Sequence, residues 1–169
     1  FDKCGKKIGL DYPAGPEIDK LSKMGDEHKF NFPLPKVEGG NISYSGTKTA
    51  FINFLHNNIN KNKNFIDENL HDICASIQKN LFDNLLNKVK FLAIENNLNS
   101  IIFGGGVSAN SYLKNRLDYE SRENNWTVFI PELQYTTDNA AMIGIVGYLK
   151  YSLSELSDLK STPLPRYSF

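Results

Sequence analysis

The sequence predicts an α/β lobe in which helices flank a small sheet. Its last third alternates strand, helix, strand and helix over Ser100–Phe103, Asn110 to Arg122, Trp126–Ile130 and Asn139 to Leu153. The run Ile101–Phe103 is apolar and β-branched without polar alternation, as in a central strand covered on both faces. From Ile66 to Asn96, apolar residues from Ile66 and Leu70 to Val89 and Leu92 recur at three- and four-residue steps. That is the wide stripe of a long helix facing a core, and Cys74 falls on it as a core residue.

In chain order, Phe1, Cys4 and Ile8 have helical spacing, and Gly9 supplies a stop. Asp11–Pro16 reads as a turn, because its prolines and glycine deny it both ladder and helix. A short helix is expected from Glu17 to Met24, opened by Pro16, with Ile18, Leu21 and Met24 on one face. Phe30, Phe32 and Leu34 alternate, which predicts an edge strand over Lys29–Pro35 bounded by Pro33 and Pro35. With Ile42–Ser45 it would form a hairpin. A helix starts at Ser45 or Gly46 and carries Ala50, Phe51, Phe54 and Leu55. Asn57–Asn64 is expected to be a solvated connection, Lys61 and Lys63 included.

Composition is that of an ordinary globular chain. The 169 residues suffice for a real core, 40% are hydrophobic, and the formal net charge is zero. That balance announces neither a nucleic-acid binder nor a membrane-surface protein, although local patches can act within a neutral whole. No apolar run approaches the ~18 residues of a membrane span, and no signal peptide is expected. A chain opening on Phe1 is expected to be a processed or truncated piece. Its two cysteines lack metal or redox spacing, so a reduced, cytosolic setting is expected.

The most informative stretch is Gly104-Gly105-Gly106 between the predicted strand and helix. Glycines there permit a sharp turn and a close ligand approach. Ser108 and Asn110 stand where a helix N-terminus presents unpaired N–H groups, which favour an anion. Asp138 opens the last helix, where it serves as an N-cap or as one ligand of a cation. A metal would need further ligands, and none of the three histidines has the spacing of a helical metal pair. Ser45–Thr49 lacks the order of a Walker phosphate loop.

Taken together, Phe1-Asp2-Lys3, GLDYPAGP (9–16), SYSGTKTA (43–50), GGGVSAN (104–110) and TDNAAMIG (137–144) follow the order of one family. Over nearly its whole length the chain resembles the C-terminal half of the TsaD family. These are tRNA N6-adenosine threonylcarbamoyltransferases, formerly described as glycoproteases. The resemblance implies α/β architecture of the ASKHA type, the fold of actin-like ATPases and sugar kinases, with a nucleotide between two lobes. Residues 1–153 would form the C-terminal lobe, a mixed sheet flanked by helices, and 154–169 an extended tail. The N-terminal lobe would be absent.

The implied reaction moves threonylcarbamoyl from threonylcarbamoyl-AMP, an ATP-derived substrate, to N6 of the adenosine beside the anticodon. By motif position, Asp2, Gly15, Asp19 and Asn110 match residues that bind the adenylate, with Gly104, Gly105 and Gly106 leaving room for it. Asp138 matches a metal-binding aspartate. The cofactor would be one divalent ion, iron or zinc, with its other ligands, an HxxxH pair among them, outside this chain. Implied partners are tRNA, an inactive ASKHA paralogue and a P-loop ATPase, in the cytoplasm and without a membrane; a homodimer is also allowed. This piece by itself is not expected to catalyse. Two departures from the family pattern stand out, because Gly5 replaces the usual alanine and Ala14 the first glycine of a Gly-Gly pair. Two other readings stay open. One is a non-catalytic ASKHA scaffold, for which an intact TDNAAM motif would be superfluous. The other is a metalloprotease, for which no HExxH is present.

Overall fold

A computed structural model describes residues 1–35 and 37–163. Helix α1 (Asp2–Gly5) runs into a 3₁₀ turn, Lys6–Ile8, and stops at Gly9 in the left-handed region, as its spacing predicts. Helix α2 spans Ala14–Ser22 and so opens before the expected Glu17. Asp2 Oδ1 accepts a hydrogen bond from the Ala14 N–H at 2.8 Å, a cap delivered from outside the helix. Pro16 lies within the first turn, where its missing N–H has no helical partner to lose.

The hairpin expected over Phe30–Tyr44 is absent among the described residues. Over Lys29–Pro35 Phe30 is half-buried and Phe32 fully enclosed, but Leu34 is 40% exposed and the segment is not a strand. Its backbone is satisfied by side chains of the long helix instead: Phe30 N–H donates to Ser76 Oγ at 3.2 Å, and Asn80 Nδ2 donates to Phe32 O at 2.6 Å. Pro33 and Pro35 remove donors that a ladder would need. Helix α3 (Tyr44–Ile59) is capped by Ser43 and runs into the connection expected at Asn57–Asn64. The Phe54 ring meets Phe32 edge-on at 5.0 Å.

Helix α4 (Phe65–Glu95), with one kink at Asn69, is the spine of the lobe; its predicted stripe is buried from Ile73 to Leu81, but farther on Leu92 is 38% exposed and Phe82 and Leu86 are buried instead. Its N-terminal half buries Ile73, Cys74, Ile77 and Leu81 against Ile18 of α2 and Phe51 of α3. Its C-terminal half buries Phe82 and Leu86 against Leu113 and Leu117. Each such side chain contributes roughly 1.5–3 kcal/mol on burial. The connection after α2 lies directly on this spine. A Cβ on Gly25 would collide with the His71 carbonyl, so only glycine permits the approach. Asp72 secures it by accepting from Asp26 N–H and from Lys29 Nζ, each at 2.7 Å. The Lys29 bond, helped by the Asp26 N–H, holds the Asp72 carboxyl below its ordinary range.

Strands β1 (Ser100–Ile102) and β2 (Thr127–Phe129) pair in parallel, Ile101 opposite Val128, with α5 (Ser111–Asn124) as the crossover. The α/β character is therefore as expected. The covering of β1 on both faces is not, since Ile102 is 79% exposed and Phe129 53%. Helix α6 (Ala140–Ser152) lies where the pattern places it but buries none of its residues. Its apolar residues Met142, Ile143, Ile145, Val146 and Leu149 are all exposed. No described helix is long and apolar enough to cross a membrane. The expected extended tail is irregular and exposed from Glu155 to Pro163, and its part from 164 onward lies outside the described residues.

Candidate functional site

The residues singled out in the sequence fall into three neighbouring groups. In the first, Asp2 holds the N-terminus of α2, and Gly15 is the second residue of that helix. A Cβ on Gly15 would touch the Phe1 side chain at 3.8 Å.

The second group is a ring of hydrogen bonds joining α2, α4 and α5. Asn110 Oδ1 accepts from Leu113 N–H at 3.0 Å and caps α5, while Asn110 Nδ2 donates to Gln78 Oε1 at 2.7 Å. Gln78 Nε2 donates to Ser22 Oγ at 2.8 Å, which donates to the Asp19 carbonyl at 2.9 Å. The Asp19 carboxylate closes the ring by accepting from Ser111 N–H at 3.0 Å and Ser111 Oγ at 2.9 Å. This corrects the expectation of an open anion site at the helix start: the protein's own carboxylate occupies that N-terminus, where the helix dipole favours it. Ser108 is likewise engaged, since its N–H and hydroxyl both bond Gly105 O.

The third group is the glycine turn and the aspartate loop. Of the three glycines only Gly105 takes a positive φ, 84°, and nothing lies within 4 Å of the Cβ position at Gly104 or Gly105. A Cβ on Gly106 would sit 3.7 Å from Thr137 Cγ2, which places the turn against the loop carrying Asp138. Asn139, not Asp138, caps α6 by accepting from Met142 N–H at 3.0 Å. The capping duty suggested for Asp138 is thus filled by its neighbour, and the Asp138 carboxylate is exposed. Among the described residues no group of three or more His, Cys, Asp or Glu gathers as a metal site.

Two contributors escaped the sequence reading. Gln78 is 1% exposed and links the Asp19 and Asn110 sides of the ring; a polar residue beside Ile77 on an inward stripe was the available signal. The other is a pocket of about 480 Å³ shared by Asp2 and Val107, the residue following the glycine turn. It is the feature that links the first group to the third.

Cys74 lies outside these three groups. Cys74 is fully buried, and that burial, with Glu17 adding to it, pushes its pKa up to about 12. The folded chain therefore keeps a proton that the unfolded chain gives up near the ordinary thiol pKa of ~8.5. The resulting stabilisation is complete below that pH and is lost as pH rises toward 12. At pH 8, iodoacetamide should label Cys74 at least about 100-fold faster in denaturant than in the folded protein, as peptide mass spectrometry would read. Equal rates would contradict the burial.

A strand, a glycine turn and a helix, beside an aspartate-bearing loop, define this molecule as an α/β lobe built around an open backbone turn. Residues 1–145 match the family model described as TsaD: tRNA N6-adenosine threonylcarbamoyltransferase, and the chain belongs to that family. It is 44% identical over 99% of its length to the tRNA N6-adenosine threonylcarbamoyltransferase of Riemerella anatipestifer, covering 49% of that protein. It is also 44% identical over its whole length to the protein of the same name from Christiangramia forsetii, covering 50% of it. With the Cytophaga hutchinsonii protein the identity is 43% over 98% of this chain and 48% of the relative. The chain thus spans about half the length of the curated relatives it matches.

Proposed function

We propose that the complete protein transfers threonylcarbamoyl from threonylcarbamoyl-AMP to N6 of the adenosine next to the tRNA anticodon, with AMP leaving. Beyond family membership, the carrying observation is the open glycine turn lying against the Asp138 loop, with Asp2 reached through the adjoining pocket. In this reading Gly104–Gly106 admit the adenylate without a Cβ in its path. Asp2 and Asp19 each spend part of their acceptor capacity on a helix N-terminus. A carboxylate has about four lone-pair sites, so both can still accept ribose hydroxyls. Asn110, anchored at both ends of its amide, offers one remaining N–H and one lone pair.

The fit of Asp138 to a divalent cation rests on its exposed carboxylate, relieved of capping by Asn139; it is an oxygen donor suited to iron or zinc. It would be one ligand, with the others supplied from outside this chain. A bound cation would supply charge neutralisation on the carbamoyl oxygen or phosphate. The same reading makes residues 1–153 one lobe of an ASKHA fold. The exposed apolar residues of β1, β2 and α6 would then pack against the rest of the protein. It carries tRNA as substrate, an ASKHA paralogue and a P-loop ATPase as partners, and a cytoplasmic setting.

The test supplies the complete protein with tRNA, threonine, bicarbonate, ATP and the partner proteins, then weighs the nucleosides of the digested tRNA. Threonylcarbamoyladenosine is the expected product. If the Riemerella anatipestifer relative yields it in parallel and this protein does not, the transferase reading fails and the non-catalytic scaffold takes its place.

A further inference from the structure

We infer that Lys48 holds the anionic group of the ligand in the pocket between Asp2 and Val107. The inference rests on the adenylate reading above and assigns a role to SYSGTKTA (43–50), the one motif which that reading leaves without work. At about 480 Å³ the pocket has the size of a small-molecule site. Its apolar walls are Cys4, Leu81, Phe82, Leu85 and Val107, with the Phe1 ring set against Phe82 at 5.4 Å. Phe82 in turn stacks on Tyr112 of α5 at 6.0 Å, so the wall is continuous with the helix that Asn110 caps. Three of the ordered motifs meet here, carried by Asp2, Lys48 and Val107.

The polar lining is sparse and has a direction. Asp2 stands on α1 and gives one carboxylate oxygen to Ala14 N–H; Tyr44, Ser45 and Lys48 come from the first turns of α3. Lys3 adds a second cation, exposed rather than enclosed. Lys48 is half-buried, and among the described residues the ion pairs engage Lys20, Lys29, Lys79, Lys90 and Lys150 but not Lys48. Lys48 lines the pocket together with Cys4 and Asp2. A partly desolvated cation lacking a partner is costly, and a ligand anion removes that cost. A molecule with hydroxyls toward Asp2, an apolar or planar body along Phe1 and Phe82, and an anion at Lys48 gives both Asp2 and Lys48 a partner. An acyl-adenylate has two such anions, its phosphate and the carboxylate of its amino-acid part.

The test measures binding of AMP, adenosine and N-carbamoylthreonine to the complete protein by calorimetry, for wild type, Lys48→Gln and Lys48→Arg. Loss of one charge-assisted contact should weaken the anionic ligand about tenfold or more in Lys48→Gln, with adenosine within about twofold of wild type and Lys48→Arg partly restored. A loss confined to AMP identifies the phosphate as the anion. A loss confined to N-carbamoylthreonine identifies the carboxylate. If wild type binds AMP and Lys48→Gln binds all three probes unchanged, or weakens all three alike, the role of Lys48 is overturned while the adenylate reading stands. If wild type binds none of them, both fall.

Discussion

Asn110→Ala should lower the stability of the protein by about 2–4 kcal/mol. The figure joins the loss of an N-cap, about 1 kcal/mol, to the cost of stranding Gln78 Oε1, about 1–3 kcal/mol in a buried setting. Neither part is visible at Asn110 alone. The cap serves Leu113 on α5, and the amide donor serves Gln78, which is 1% exposed on α4. Asn110→Asp separates the two. Its carboxylate still accepts from the Leu113 N–H and suits the positive end of the helix, but it cannot donate to Gln78. The Gln78 amide can turn its NH₂ toward the new carboxylate, at the expense of its bond to Ser22 Oγ. The expected order is therefore wild type, then Asp, then Ala, with the Asp variant about 1–2 kcal/mol down. Urea unfolding of the three proteins reads that order. An alanine variant as stable as wild type would mean that the ring does not hold α2, α4 and α5 together. The order also separates structure from binding. If AMP affinity falls further in the aspartate variant than in the alanine variant, the phosphate lies close to position 110, because only charge repulsion reverses the ranking.

The parts of the fold legible in the sequence are those whose cause is local. The apolar stripe of α4 recurs over many turns, so Ile73, Ile77 and Leu81 faced inward as read. The stop at Gly9 and the start of α5 after Asn110 carry their own chemistry. What misled the reading has its cause elsewhere in the chain. The start of α2 depends on Asp2, twelve positions from the N–H it caps. The Phe30–Leu34 alternation turns inward only at Phe30 and Phe32, and Ser76 and Asn80 on a helix take the backbone bonds that a strand partner would have taken. For α6 and β1 the sequence showed apolar faces and could not show what covers them. In the site, residue types were legible and duties were not. Asp2, Asp19 and Asn110, expected as ligand contacts, each hold a helix N-terminus, which pattern alone cannot distinguish from binding.

Gly5 and Ala14 share one contact, and a double-mutant cycle should show it. A Cβ built on Gly5 would collide with the Cβ of Ala14, which is 1% exposed, where α1 crosses the start of α2. The arrangement expected from the resemblance, alanine at the first position and glycine at the second, would put the methyl group on the other side of this contact with its volume kept. Gly5→Ala puts two methyls in the space of one. Both belong to short, rigid side chains, so the helices must separate, at about 1–3 kcal/mol, reduced by the ~1 kcal/mol by which alanine outperforms glycine within a helix. Ala14→Gly removes a buried methyl and should cost about 1 kcal/mol. The double variant takes that arrangement and should return to within about 0.5 kcal/mol of wild type. That leaves a coupling of roughly 1–3 kcal/mol between positions nine apart in sequence. The readout extends to the site, because α1 carries Asp2 to the Ala14 N–H. Gly5→Ala should weaken AMP binding along with stability, and the second substitution should recover both. Thermal unfolding and calorimetry on the four proteins decide it. Additive losses, with the double variant the least stable, would mean that the helices do not meet at these two residues.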